Sequence, residues 1–237
     1  MTTTDERIVC DDAEALADRA ASWLVDTVVA IDVPVVRLAL SGGSTPRALY
    51  RRLAEPPHRD RMPWDRVAVF WGDERGVGPD DDASNHRMAT EALLDHVPAR
   101  AVHRIEAERP DAAERYEMLL KNVAADGAPP LHVVLLGMGT DGHTASLFPD
   151  TPNLATGAWV VETNSPAPPT RRISLTLAAI NDAAVVGVLV SGARKTERLA
   201  EVWAQRDEAK ATLPLARVRP AGRMVWLMDE EAAAQLP

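Results

Sequence analysis

One cysteine, Cys10, stands in 237 residues, so no intrachain disulfide can form and no cysteine-rich metal site exists. Aromatic residues reach only 4%, too few for the stacking platforms that hold single-stranded nucleic acid. Positive charge is in deficit as well: 26 Lys and Arg face 35 Asp and Glu, a formal net charge of -9. A surface of that sign repels nucleic acid and anionic membranes, so an anionic ligand needs a local cationic pocket. The longest apolar runs, near Leu131 and from Ala183 to Val190, are too short to cross a bilayer. Met1 to Asp12 is polar and acidic, unlike a secretory leader. The expectation is a cytoplasmic protein with one α/β domain over residues 1–237. It is expected to be a monomer or weak homo-oligomer, with no nucleic-acid or membrane partner.

What the chain does have is a set of buried strands that end in glycine. Leu131 to Leu136 is an apolar run with the pattern of a strand covered on both faces. Gly137, Gly139 and Gly142 follow closely, interleaved with Asp141 and His143. A sharp turn needs such glycines, and so does a backbone that something approaches closely. Val35 to Leu40 reads as another central strand and empties into Ser41-Gly42-Gly43-Ser44-Thr45-Pro46. There Pro46 suits a first helical position and the preceding Ser or Thr suits its cap. This loop is either a phosphate cradle at a helix N-terminus or simply a tight turn. It lacks the spacing and lysine of the Walker loop and the full dinucleotide fingerprint, which disfavours a nucleotide. Val67 to Trp71 is a third strand, ending in Gly72-Asp73-Glu74-Arg75-Gly76. Arg75 either belongs to a surface salt-bridge cluster or pairs with a ligand anion, held by its acidic neighbours. Ala183 to Val190 is the fourth, followed by Ser191-Gly192-Ala193-Arg194-Lys195.

Between these lie helices. Asp11 or Asp12 caps one running to about Ile31, and Ser84 caps another to about Asp95. A third runs from about Asp111 to Ala125, after which Asp126-Gly127 turns the chain. A fourth follows Lys195 to about Gln205. Residues 7–10, Trp159 to Val161 and Met224 to Met228 are shorter strands, the last a closing one. Arg172 to Leu177 alternates as a half-exposed strand does. The fold class is therefore α/β: a doubly wound, mostly parallel open sheet flanked by helices, Rossmann-like. Its ligand site is expected at the carboxyl edge of the strands, where all four glycine loops would meet. Ser146 lacks a nucleophile elbow, so helix capping or loop packing is its expected job. His132 alternates within a strand and reads as structural.

These residues resemble the 6-phosphogluconolactonase family, within the superfamily that also holds glucosamine-6-phosphate deaminase/isomerases. The resemblance rests on the loop Ser41 to Pro46, on Asp73-Glu74-Arg75 and Ser84-Asn85, and on Gly137 to Pro149. Arg172 to Thr176 and Gly192 to Lys195 complete it. Deaminases continue past the histidine into a phenylalanine-asparagine-glutamate-proline run, whereas this chain has Ser146-Leu147-Phe148-Pro149. It also has Arg75 where the deaminase motif carries an aromatic residue. Sugar-phosphate sensors of transcription regulators carry a basic helix-turn-helix segment, for which this acidic chain has no room.

The resemblance implies hydrolysis of 6-phospho-D-glucono-1,5-lactone in the oxidative branch of the pentose phosphate pathway. No cofactor and no metal are expected; the partner is the small sugar-phosphate lactone. His143 matches the family's base, and Asp141 either orients it or holds the loop. The glycine-loop N–H groups or Arg75 would stabilise the oxyanion. Ser41, Gly42, Gly43, Ser44, Thr45, Gly139, Arg172 and Lys195 are the candidates for holding substrate and phosphate.

Overall fold

The structure, a computed structural model, describes residues 5–124, 128–149, 157–206, 208 and 211–237. The expected Asp126-Gly127 turn lies outside them. The chain begins with Glu6–Cys10 (β1) and Ala13–Ala30 (α1). Asp12 caps α1, its carboxylate accepting the Glu14 and Ala15 N–H groups at 2.9 and 2.8 Å. Leu16, Ala20, Trp23, Leu24 and Val28 recur at helical spacing and are all buried.

Val36–Leu40 (β2), Ser44–Leu53 (α2), His58–Arg61 (α3), Val67–Trp71 (β3) and Asp73–Arg75 (β4) come next. Asn85–Ala92 (α4), Ala101–Val102 (β5), Ala112–Val123 (α5) and Val133–Gly137 (β6) carry the chain to its middle. Val160–Asn164 (β7), Arg171–Leu175 (β8), Leu177–Asn181 (α6) and Val185–Val190 (β9) then precede the last three elements. These are Thr196–Ala204 (α7), Arg223–Asp229 (β10) and Glu230–Ala233 (α8).

Seven strands form one sheet in the order β1-β10-β9-β6-β2-β3-β5, and every neighbouring pair is parallel. The expected parallel sheet flanked by helices is thus what the chain forms. Among the strands named above, antiparallel pairing occurs in a second sheet, β4-β8-β7. Parallel strands need crossover connections, and the helices in those connections cover the faces. The apolar runs of β3, β6 and β9 are buried accordingly. β10 does not close the sheet at an edge. It lies between β9 and β1, and the first strand of the chain is the edge.

The order locates the site. From β2 the chain builds outward through β3 and β5, then returns to the other side of β2 with β6, β9 and β10. The direction of winding reverses between β2 and β6, and their carboxyl-end loops diverge to leave a crevice there. Both tyrosines of the chain brace this edge. The Tyr50 hydroxyl accepts the Ser41 N–H and donates to the Ser41 carbonyl, both at 2.8 Å. Tyr116 does the same for Trp71, at 2.8 and 3.0 Å. Each thereby pairs both main-chain groups of a residue at a strand's exit, where ladder partners run out.

The small sheet sits on that edge. β4 continues β3 beyond Gly72, whose N–H reaches the Leu40 carbonyl at 2.8 Å. Asp73-Glu74-Arg75 is therefore a strand and not a loop, and Asp73 and Glu74 are buried. Glu74 gathers the Arg75, Asn85 and His86 N–H groups at 2.7–2.8 Å and the Ser84 hydroxyl at 3.0 Å. It pins the start of α4, so it serves the backbone and not the Arg75 guanidinium. β8 also departs from expectation: Arg172, Ile173, Ser174 and Leu175 are all buried, and none of the alternation faces solvent.

Candidate active site

The crevice is a cleft of about 780 Å³. It is lined by residues of the Ser41 to Pro46 loop, by Gly137 to Thr140, His143, Ser146, Asp73, Arg75, Arg172 and the Leu189 to Lys195 segment. Every candidate from the sequence lines it except Asp141. That carboxylate stands behind the imidazole: Asp141 Oδ1 lies 2.6 Å from His143 Nδ1 and accepts the His143 N–H at 3.1 Å. Burial pushes the Asp141 carboxyl up, but its bonds to His143 prevail and bring it down to about 2. An ionised Asp141 favours the tautomer with the proton on Nδ1. Nε2 then carries the free lone pair, and no hydrogen bond to it is formed among the described residues. Phe148 packs against the ring, centroid to centroid 4.7 Å.

The loop that carries this pair is closed on itself. The Gly139 N–H donates to the His143 carbonyl at 2.9 Å and the Thr144 hydroxyl to the Gly137 carbonyl at 2.9 Å. Gly139 therefore lends no N–H to the cleft. Its contribution is space, since a Cβ there would stand 2.1 Å from His143 Nδ1 and 2.5 Å from Asp141 Oδ1.

The Ser41 to Thr45 loop departs from the expected cap. α2 starts at Ser44, and Gly43 is its N-cap without any side-chain hydrogen bond. Gly43 has φ of 108°, a conformation that side-chain-bearing residues rarely adopt. Pro46 lies within the first turn, where its missing N–H costs no intrahelical bond. The unpaired first-turn N–H groups belong to Ser44 and Thr45, and with the helix dipole they make this end of α2 attractive to negative charge. Ser41 Oγ, buried beside them, has no hydrogen-bond partner among the described residues.

Arg75, Arg172, Arg194 and Lys195 bring positive charge to the cleft. Arg75 donates from Nη1 to the Ala83 carbonyl at 2.5 Å, while its Nε is buried without an acceptor. Arg172 is buried, and its Nε is likewise unpaired. Burial lowers the Arg172 guanidinium pKa, and nearby Arg75 adds to the shift. Lys195 donates to the Met138 carbonyl at 2.7 Å, and burial lowers its ammonium pKa. Buried donors without acceptors are costly, and they mark a place prepared for an anion.

Sequence reading missed three contributors. Asp229 accepts the Ser191 hydroxyl, the Gly192 N–H at 2.9 Å and the Ala232 N–H at 2.8 Å, fixing the turn that presents Lys195. Asp73 and Ser146 meet at 2.6 Å on the cleft wall. Of the two jobs expected of Ser146, helix capping and loop packing, its contacts with Asp73 and Ser174 fit the second. Among the described residues no group of three His, Cys, Asp or Glu is placed to hold a metal ion, and no helix is long and apolar enough to cross a membrane.

A cleft of this kind, at a parallel sheet's switch point with a histidine–carboxylate pair and unpaired cationic donors, defines an α/β protein that acts on small anionic ligands. The chain belongs to the family described as glucosamine-6-phosphate isomerases/6-phosphogluconolactonase, whose model matches residues 11–226. A 6-phosphogluconolactonase of Mycobacterium leprae is 40% identical over 236 residues, covering 94% of this chain and 93% of that one. One of Synechocystis is 40% identical over 208 residues, 84% of each. The solved 6-phosphogluconolactonase of Trypanosoma brucei superposes with a TM-score of 0.84 at 27% identity, covering all of both chains.

Proposed function

We propose that the chain hydrolyses 6-phospho-D-glucono-1,5-lactone to 6-phosphogluconate, with His143 as the general base. One observation carries the mechanism: Asp141 occupies His143 Nδ1, so the basic Nε2 is left for a water in the cleft. Water attacks the lactone carbonyl as His143 takes its proton, and the carbonyl oxygen becomes an oxyanion. The unpaired Nε of Arg75 suits that charge. The tetrahedral species then collapses, the ring oxygen leaves and takes the proton back from His143, and the product acid ionises. Asp141 holds the ring and stabilises the imidazolium between the two transfers.

The phosphate lies against Ser41 to Thr45 and the α2 N-terminus, with Arg172 and Lys195 supplying charge. Opening a lactone needs this much and no metal or redox cofactor. Isomerisation and deamination of an amino sugar phosphate need more proton-transfer groups, and residues 146–149 supply no carboxylate here. The pairing of Ser146 with Asp73 also favours the lactonase reading, because it engages one oxygen of a nearby carboxylate.

The test is lactone opening followed with freshly made 6-phosphogluconolactone, subtracting the enzyme-free rate because δ-lactones open unaided. Acceleration is expected, with no ammonia released from glucosamine 6-phosphate. Ammonia release without lactone turnover overturns the reading.

A further inference from the structure

Asp73 has no part in the mechanism above, yet it is a buried carboxylate on the cleft wall, 6% exposed. Its Oδ2 accepts the Ser146 hydroxyl at 2.6 Å, and its Oδ1 accepts Asn85 Nδ2 at 3.2 Å. Asn85 Nδ2 is also tied to the Asp73 carbonyl at 2.9 Å, so the carboxylate is gripped from both sides. Asp73 forms no ion pair among the described residues. A carboxylate has about four acceptor positions, and the described residues fill two of them. A buried anion with unused acceptors is expensive unless donors complete it. On a cleft wall, those donors come from the ligand.

We infer that Asp73 accepts a hydrogen bond from the substrate hydroxyl on the carbon next to the lactone carbonyl, and that Ser146 and Asn85 hold it in position. This rests on the lactonase reading. The placement follows from Ser146, which shares one short loop with His143 and touches Asp73. Ser146 thus ties Asp73 to the reacting end of the ligand. The hydroxyl beside the carbonyl is nearest to that end. It is also the ring's strongest donor, because the neighbouring acyl group draws electrons from it. A charged acceptor makes the most of such a donor.

The consequence is a specificity determinant: Asp73 selects lactones that carry this hydroxyl. The test compares 6-phosphogluconolactone with its 2-deoxy analogue, with enzyme-free rates subtracted. The wild-type protein is expected to open the 2-deoxy lactone with kcat/KM lower by roughly 10- to 100-fold, the range of a hydrogen bond to a charged group. Asp73→Asn is expected to lose a similar factor on the natural lactone and to change the 2-deoxy rate about threefold at most. Ser146→Ala, which frees the carboxylate without removing it, should show a smaller loss, again confined to the natural lactone.

Equal losses on both substrates in either variant overturn the inference, because a merely structural residue would not distinguish them. So does a wild-type protein that opens both lactones equally well. That last comparison uses no variant and stands even if Asp73→Asn fails to fold. A wild-type protein inert toward both lactones overturns the proposed activity itself.

Discussion

Arg75 and Arg172 stand directly opposite each other where β4 pairs antiparallel with β8. Opposed residues of such a pair project on the same face, and like charges there repel. Neither unpaired Nε finds an acceptor among the described residues. The fold therefore holds two guanidinium groups together in the absence of an anion, and stability is given up for binding. Arg172→Met should leave the ligand-free protein at least as stable as wild type, since the Arg172 side chain makes no hydrogen bond among the described residues. The rise in melting temperature that 6-phosphogluconate gives the wild type should largely vanish. Thermal melts with and without that product check both halves. A variant less stable alone, yet equally stabilised by product, would show that Arg172 supports the fold instead.

Gly139→Ala tests the need for space behind the imidazole. A methyl group there meets both His143 Nδ1 and Asp141 Oδ1, so the pair must separate. Turnover should fall by roughly 10²–10⁴-fold, as for loss of a general base. Substrate binding should change far less, and His143→Ala should show the same split. Near-native kcat in a folded His143→Ala variant removes that residue from the mechanism.

Asp141 links the site to stability at low pH. Its carboxyl is held at about 2 against an ordinary 3.8. A lowered carboxylate stabilises the fold above its unfolded value and loses that contribution as pH falls toward 2. Asp141→Asn should therefore narrow the stability gap between pH 5 and pH 2.5 in chemical denaturation. A gap as wide as that of the wild type would show that the carboxylate gives the folded state nothing.

His132 acts in a higher window. Its Nδ1 accepts the Arg37 N–H at 3.0 Å, and burial, with Arg37 nearby, lowers it to about 4. The unfolded chain takes up this proton near pH 6.5 and the folded one near 4, so acidification through that range favours unfolding. The loss is on the order of 3 kcal/mol. His132→Asn keeps an acceptor but cannot titrate, and should flatten denaturation midpoints between pH 7 and pH 4. Parallel wild-type and variant curves would remove His132 as the cause.

Lys195→Ala should raise KM for the phosphorylated lactone and affect unphosphorylated gluconolactone much less. The cost is about 1.5–3 kcal/mol, the worth of a hydrogen bond to a charged group. Steady-state kinetics on both substrates separate the cases, and equal losses would place Lys195 away from the phosphate.

Residue order alone makes legible the strands, the glycine loops at their ends and the cationic and acid/base residues those loops carry. Apolar runs, helical spacing and glycine conformation are local properties, legible wherever they occur. It also makes Asp141 and His143 neighbours, because one short loop holds both. Strand order came from the packed fold, since which strands lie side by side depends on crossovers and not on composition. That fold alone turned Arg172 and Ser174 inward. Alternating polar residues read the same whether they face solvent or a buried cleft, so their pattern suggested half exposure. The contacts of Asp73 with Ser146, Tyr50 with Ser41 and Asp229 with Gly192 were likewise invisible. Each is a side-chain hydrogen bond between separate elements, and such a bond leaves no periodic trace in the chain that makes it.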